Sequence, residues 1–436
     1  MNKENIIQIL QDWNYWNRDL PQTFKREYYD KKVVTLSKAK EILILKGIRR
    51  SGKSTLLINY IKHLLKNGIS KDEILFINLE DPRFVNNLNL ELLDKIKEAY
   101  KYYINPNKKP YIFLDEIQNI DNFEKWLLKE YELKSSYLFV TGSNSKLLSS
   151  EISTNLSGRY LDILVIPLSF KEFLEFKGIS INSPFELISQ KLEILKLFEE
   201  YIDFGGFPKV ALLSDTELKK AELKNYFDSI LLRDIVARYN LDNFRALQEL
   251  AVFLLSSIGN LISVNKIKNH LNLSYDLTNR YIEYLQNAFI VDTVPLFDYS
   301  YKKQLVNLKK IYSIDTGLSK RVAFEFNKKE GDYLENIVYL ELKRRYSQIY
   351  YYKTKQGYEI DFLVKNEQKI THLIQVSLNL NDKKTLKREI RALINASNEL
   401  QNSDIELLII TKDSSNEIIE DGKKIKVINI LEWLLL

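Results

Sequence analysis

Residues 41–54, EILILKGIRRSGKS, constrain this chain more than any other stretch. Glu41 to Lys46 is an apolar, β-branched run that predicts a strand. Gly47-Ile48-Arg49-Arg50-Ser51-Gly52-Lys53-Ser54 follows, and Thr55 opens a helical pattern carried by Leu56, Leu57, Ile61, Leu64 and Leu65. The octet fits G-x-x-x-x-G-K-[ST] at every fixed position, between the strand and the helix start that this motif requires. The glycines let the backbone curl until successive N–H groups face phosphate oxygens. The positive end of the helix adds to that attraction. Lys53 is placed to reach β- and γ-phosphates, and the Ser54 hydroxyl to reach Mg²⁺. Gly47, Ile48, Arg49, Arg50, Ser51, Gly52, Lys53, Ser54 and Thr55 are the candidate residues for binding a nucleoside triphosphate.

From residue 41 onward strands and helices alternate, the pattern of a parallel sheet covered on both faces. Strands are expected at 41–46, 74–79, 111–115, 137–142 and 161–166, with helices at 53–66, 88–104, 121–134 and near 144–149. The third strand ends Tyr111-Ile112-Phe113-Leu114-Asp115-Glu116, a Walker B pattern. Asp115, at the carboxyl end of a buried strand, is the candidate to hold Mg²⁺ through water. Glu116 is the candidate to orient and deprotonate the attacking water. The next strand ends Thr141-Gly142-Ser143-Asn144, where Asn144 or Ser143 would sense the γ-phosphate. Arg159 is either an arginine finger, in cis or on a neighbouring subunit, or a surface arginine in a turn. Residues 1–40 read as a helix (Ile6, Ile7, Leu10, Trp13, Trp16) and a polar segment with Arg26, Tyr28 and Tyr29, placed beside the base of a nucleotide or simply amphipathic.

A length of 436 residues suggests about three domains. With 45% hydrophobic and 28% charged residues, the composition is that of a soluble globular chain. The absence of cysteine excludes disulfides and thiolate metal sites. The imidazoles, His63, His270 and His372, lie too far apart in sequence to suggest zinc. No secretory signal or bilayer-length apolar run is present, so a cytoplasmic protein without membrane contact is expected. A net charge of +6 permits nucleic acid as a partner without demanding it.

The set GIRRSGKST, FLDEIQNI, TGSNSKLLSSEISTNLSGRY and VIPLSFKEF resembles a family of bacterial and archaeal AAA+-type ATPases whose core precedes a carboxy-terminal domain of unknown function. FGGFP (204–208), LLRDIVARY (231–239), KKIYSIDTGL (309–318) and YEIDFLV (358–364) match it too. The resemblance covers nearly the whole chain. It implies an ATPase and ATP as the nucleotide, and names no biological substrate.

After a capping box at Ser169-Phe170-Lys171-Glu172 the pattern turns helical. Helices are expected at 184–202 and 217–239, the second with Arg233 and Asp234, as a lid in which Arg233 is a second sensor or half of a surface pair. Residues 243–300 read as a winged helix, with helices at 244–258, 264–271 and 274–288 and wing strands at 289–297 and 309–315. Asn279 and Arg280 on the third helix, and Lys266, Lys268, Lys302, Lys303, Lys309 and Lys310 nearby, are candidates to meet DNA. The last domain resembles the PD-(D/E)xK nuclease core, with Glu335 on a helix and Asp361 on a strand. The E-x-K position reads Gln375-Val376-Ser377, so the metal carboxylate and the lysine are both missing, and an inactive fold kept for binding is expected.

The expected fold is therefore α/β: a P-loop AAA+-type parallel sheet (1–170), a helical lid (171–240), a winged-helix domain (241–325) and a restriction-endonuclease-like α/β domain (326–436). Three functional classes follow. One is an ATP-hydrolysing motor or switch that engages DNA. Another is a signalling or scaffold ATPase that binds protein partners. The third is an ATP-gated metal-dependent nuclease, against which Gln375 and Ser377 argue. An Arg159 acting in trans would require a homo-oligomer.

Overall fold

The computed structural model describes residues 1–105, 107–143, 156–323, 330–400, 404–413 and 415–436. It divides into two compact units, residues 1–166 with 287–289, and residues 167–286 with 290–436.

In the first unit five parallel strands, β1 (Ile42–Lys46), β2 (Ile74–Asn78), β3 (Tyr111–Asp115), β4 (Tyr137–Gly142) and β5 (Tyr160–Leu164), stand in the order β2-β3-β4-β1-β5. Because side chains alternate along a strand, each apolar run feeds two cores. Ile42, Ile44, Leu75, Ile77, Ile112, Leu114, Leu138 and Val140 enter one, with Ile6 and Leu10 of α1 (Lys3–Trp13). Leu43, Leu45, Phe76, Phe113 and Phe139 enter the other. Tyr29 and Val33 of α2 (Glu27–Ser37) and Leu56, Leu57 and Ile61 of α3 (Lys53–Lys66) cover that second face. The helix expected near 144–149 lies outside the described residues.

The amino-terminal helix lies against the edge strand β2. Trp16 Nε1 donates to Ile74 O (2.9 Å), and the Asn14 side chain both accepts from Phe76 N (2.6 Å) and donates to Phe76 O (2.8 Å). Only the following polar segment, around Arg26, reaches the loop after β1.

The second unit begins with helices. The periodicity over 184–202 hides a break at Gln190, which separates Pro184–Ser189 from Lys191–Phe204. Leu187, Ile194, Phe198, Tyr201 and Ile202 keep one buried face through the break, so the hydrophobic pattern does not register it. Residues Ile230–Val236 wind as a π-helix, with Arg233 exposed and Asp234 buried.

Helices Phe244–Leu255, Val264–Leu271 and Tyr275–Asn287 accompany a three-stranded antiparallel sheet, β6 (Leu261–Ile262), β7 (Val291–Val294) and β8 (Lys309–Ser313), ordered β6-β8-β7. A short helix, Tyr301–Val306, stands in the connection between β7 and β8, a stretch between the two expected wing strands to which the sequence pattern assigns no element.

A six-stranded mixed sheet follows: β9 (Gln348–Lys353), β10 (Glu359–Asn366), β11 (Lys369–Ser377), β12 (Glu406–Thr411), β13 (Asn416–Glu420) and β14 (Lys423–Asn429), ordered β13-β14-β12-β11-β10-β9. Helix Lys383–Leu400 covers one face through Ile390, Leu393, Ile394 and Leu400, against Leu363, Leu373, Leu407 and Ile409.

The blocks FGGFP and SIDTGL lock together. Buried Asp315 accepts from Gly206 N (2.7 Å) and Leu318 N (2.9 Å), and burial pushes its carboxyl up to about 6. Gly205, at φ 71°, leaves room for that carboxylate, since a Cβ there would stand 2.0 Å from Asp315 Oδ1.

Candidate nucleotide-binding site

The loop after β1 and the ends of β3 and β4 meet at the carboxyl edge of the first sheet, where an open α/β sheet places its ligand. Gly47 has φ 148°, and a Cβ on it would stand 2.0 Å from Val165 O, so only glycine lets the loop leave β1 beside the chain after β5. Arg50 (φ 69°) and Gly52 (φ 97°) continue the curl into the amino end of α3. Ile48 is buried, and Ser51 Oγ is buried without a hydrogen-bond partner among the described residues.

Lys53 is 3% exposed and folded back over the loop. Its Nζ donates to Gly47 O and Ile48 O (both 3.1 Å) and lies 3.7 Å from Glu116 Oε1. Ser54 Oγ donates to Asp115 Oδ1 (2.9 Å). The fold thus brings Gly47 to Ser54, Asp115 and Glu116 together. Thr55 lies in the first turn of α3 and is half-buried.

Asp115 and Glu116 are both buried, with opposite consequences. Burial, reinforced by the neighbouring Glu116 charge, pushes Asp115 up to about 6. Burial also works against the charge on Glu116, but Lys53 and then Arg49 outweigh it and hold that carboxyl below its ordinary value. Arg49 is itself paired with Glu80 (2.7 Å). Glu116 sits in the left-handed region at φ 57°, a strained conformation for this residue type and one that clusters at functional sites.

Three further residues join the site, two of them with no role assigned from sequence. Thr141, at the tip of β4, donates to Asp115 Oδ1 (2.5 Å) and accepts from Glu116 N (3.0 Å), bridging the two acids. The strand order made this possible by inserting β4 between β1 and β3, which no local pattern announces. Gln118 Nε2 donates to Glu116 Oε2 (2.5 Å) and Ser143 Oγ (3.2 Å), while its Oε1 is buried without a partner among the described residues. Ser143 therefore lies at the site, and Asn144 lies outside the described residues.

The third is Arg26. Its buried guanidinium donates to Ser51 O (2.9 Å) and Ile166 O (3.0 Å) and lies 4.3 Å over the Tyr29 ring. Arg26→Ala would strand these carbonyls. A loss of about 2 kcal/mol in stability is expected, together with weaker nucleotide binding. Thermal unfolding with and without nucleotide checks both, and an unchanged midpoint would remove Arg26 from the loop's support.

Arg159 is not brought to the loop. Its carbonyl accepts from Ile42 N (3.0 Å), which puts it at the amino edge of the sheet, while the loop leaves the carboxyl edge. The five residues of β1 between those edges span about 16 Å. Its side chain pairs with Glu132 (2.9 Å) at the surface. A finger acting in cis is thereby corrected to a surface ion pair within this chain.

In the second unit Glu335 and Asp361 do meet, but around a lysine. Lys310, expected to face phosphate, is 2% exposed, and its Nζ lies 3.1 Å from Glu335, 2.9 Å from Glu359 and 3.0 Å from Asp361. That expectation fails because β8 turns the side chain into the interior. Gln375 donates to Glu359 O (2.9 Å) and Glu389 Oε2 (2.8 Å), and Ser377 Oγ donates to Asn379 O (3.0 Å). Among the described residues no helix is long and apolar enough to cross a membrane.

Comparison with known proteins agrees with the geometry. Residues 39–174 match the AAA domain, and residues 195–329 and 330–433 each match a domain of unknown function. An uncharacterized protein of Methanocaldococcus jannaschii is 36% identical over 408 residues, covering 91% of this chain and 88% of the relative. An uncharacterized protein of Haemophilus influenzae is 31% identical over 423 residues, covering 94% and 98%. Among solved structures, a Walker-type ATPase of Pyrococcus abyssi shares 14% identity at a TM-score of 0.47, covering 69% of this chain and 96% of that one. AMPPCP-bound DnaA from Aquifex aeolicus shares 15% at 0.29, covering 63% and 93%. With the P-loop, the Walker B acids and the five-stranded parallel sheet in place, the chain belongs to the archaeal and bacterial family in which an AAA domain precedes two domains of unknown function.

Proposed function

We propose that this protein binds ATP with Mg²⁺ and hydrolyses it. The observation that carries this reading is the convergence of Lys53, Ser54, Asp115, Glu116 and Thr141 beside the curled loop at one edge of the sheet. The donor set fits a hard divalent ion, with the Ser54 hydroxyl and the Asp115 carboxylate as hard oxygens, and the orphaned Ser51 Oγ and Gln118 Oε1 await polar partners. Bound Mg²⁺ would offset phosphate charge as the terminal bond breaks.

The loop N–H groups and Lys53 hold the phosphates, and Lys53 exchanges its carbonyl partners for phosphate oxygens. Glu116, held ionised and pinned by Gln118, accepts a proton from the water whose oxygen attacks the γ-phosphorus. The bond to the bridging oxygen breaks, releasing ADP and phosphate. Thr141 keeps the two acids in register. Asn144 or Ser143 takes the γ-phosphate sensor role, and Arg159 serves phosphoryl transfer only on a neighbouring subunit of a homo-oligomer.

In this reading residues 171–240 are the lid, 241–325 the winged helix and 326–436 the nuclease-like domain, and the ATPase is a motor or switch that engages DNA. Support comes from the connection between β7 and β8, where Tyr299 and Tyr301 are 79% and 72% exposed beside exposed Lys302 and Lys303. Rings stack on bases, and lysines meet phosphates. Exposed Leu305 and Val306 in the same segment favour the second reading, a protein partner.

ATP hydrolysis by the full chain, with and without single- and double-stranded DNA, tests both. A several-fold rise that Lys302→Glu/Lys303→Glu removes supports DNA engagement. A rate indifferent to DNA turns the reading to protein.

A further inference from the structure

The likeness of residues 326–436 to the PD-(D/E)xK core implies a divalent metal on Glu335 and Asp361, and the residues present do not fit one. We propose that Lys310 is the resident cation of this cluster: its ammonium stands where a divalent ion would, and it bolts strand β8 to the carboxy-terminal sheet. The three carboxylates come from two elements, Glu335 on helix Glu330–Arg345 and Glu359 and Asp361 on β10, while the ammonium comes from a third. Its three contacts of 2.9–3.1 Å use the three N–H donors of a lysine.

Glu335 and Asp361 already spend lone pairs within the cluster that a metal would use. Glu335 Oε1 accepts from both Lys310 and the Tyr312 hydroxyl (2.6 Å). Asp361 Oδ1 accepts from Lys310, and Oδ2 from Val376 N (3.0 Å). Gln375, in the place of the usual acid, accepts from Asp361 N (2.9 Å) and donates to Glu389. Mg²⁺ requires oxygens near 2.0–2.1 Å in octahedral array. Among the described residues no three His, Asp or Glu side chains are grouped to hold a metal.

Burial opposes the ammonium, yet Asp361, Glu335 and Glu359 together hold it protonated well above the usual lysine range. One ammonium thus serves three carboxylates, of which burial, reinforced by the Asp361 charge, pushes Glu335 up to about 7, and it joins the three-stranded sheet to the six-stranded one through charge.

The test is thermal unfolding of the nucleotide-free full chain. Lys310→Met keeps the stem and deletes the charge, leaving carboxylates crowded in the interior. A fall in midpoint on the order of 10 °C is expected. Adding Glu335→Gln and Asp361→Asn to Lys310→Met removes the stranded charges and should recover at least half of that fall. If Lys310→Met does not fold, the triple variant still should, and a triple variant no more stable than the single one overturns the proposal. Millimolar Mn²⁺ should shift the parent and Asp361→Asn equally. A Mn²⁺-induced rise in the parent that Asp361→Asn abolishes would show that metal displaces the lysine, and would also overturn it.

Discussion

Glu116→Gln is expected to bind ATP as the parent does and to hydrolyse it 10²–10⁴-fold more slowly, the usual contribution of a positioned general base. The amide keeps the size and accepts from Gln118, whose Nε2 now donates to Glu116 Oε2 at 2.5 Å, so the pocket should hold its shape. What disappears is the basic oxygen that Lys53 and Arg49 keep ionised despite burial. Single-turnover hydrolysis beside equilibrium binding of a fluorescent ATP analogue separates the two effects. A parental rate in this variant would remove Glu116 from the reaction. Loss of binding with loss of rate would instead assign it to holding the loop through Lys53, 3.7 Å away.

Gly47→Ala is expected to abolish nucleotide binding, with a loss of roughly 100-fold or more, because loop atoms displaced by an ångström no longer address the phosphates. The added methyl would sit 2.0 Å from Val165 O and 2.9 Å from Val165 C, both backbone atoms that cannot swing aside. The residue also stands at φ 148°, a value that side chains rarely adopt. Either the loop moves or the chain just after β5 does. The control is Gly331→Ala, where the new carbon meets Leu378 no closer than 3.7 Å. Calorimetric titration of both variants with a non-hydrolysable analogue decides the matter. Retained affinity in Gly47→Ala would mean that the loop has freedom this packing denies it.

The strands and the loop were legible because their signals are local. Five apolar runs end where β1 to β5 end within about two residues, and G-x-x-x-x-G-K-S is a contiguous cradle. Asp115 and Glu116 were legible for the same reason, since a buried strand that ends in two acids announces a site at its tip. Thr141 and Gln118 were not, because an ordinary threonine and glutamine acquire meaning only when β4 is seated between β1 and β3. Arg26 was legible only as part of a polar segment placed beside a nucleotide or simply amphipathic, and no local spacing pointed to its partners, since Ser51 O and Ile166 O lie 25 and 140 residues away. Arg159 stayed open between a finger and a surface arginine, because S-G-R before a strand says nothing about which edge of the sheet it occupies.

By itself, then, the sequence determined that a glycine-bracketed loop and two acids stand on a parallel sheet, because short-range spacing dictates backbone curl and strand burial. The tertiary structure alone decided which side chains serve that cradle and what fills the second acidic cluster. Lys310 shows why. In the chain it is the second of a lysine pair on a strand, one more surface charge by pattern. Only the pairing of β8 between β6 and β7, with helix Glu330–Arg345 and β10 packed beside it, turns it inward onto three carboxylates. Charges 25 to 51 residues apart in sequence find one another through the fold, and no local spacing encodes that meeting.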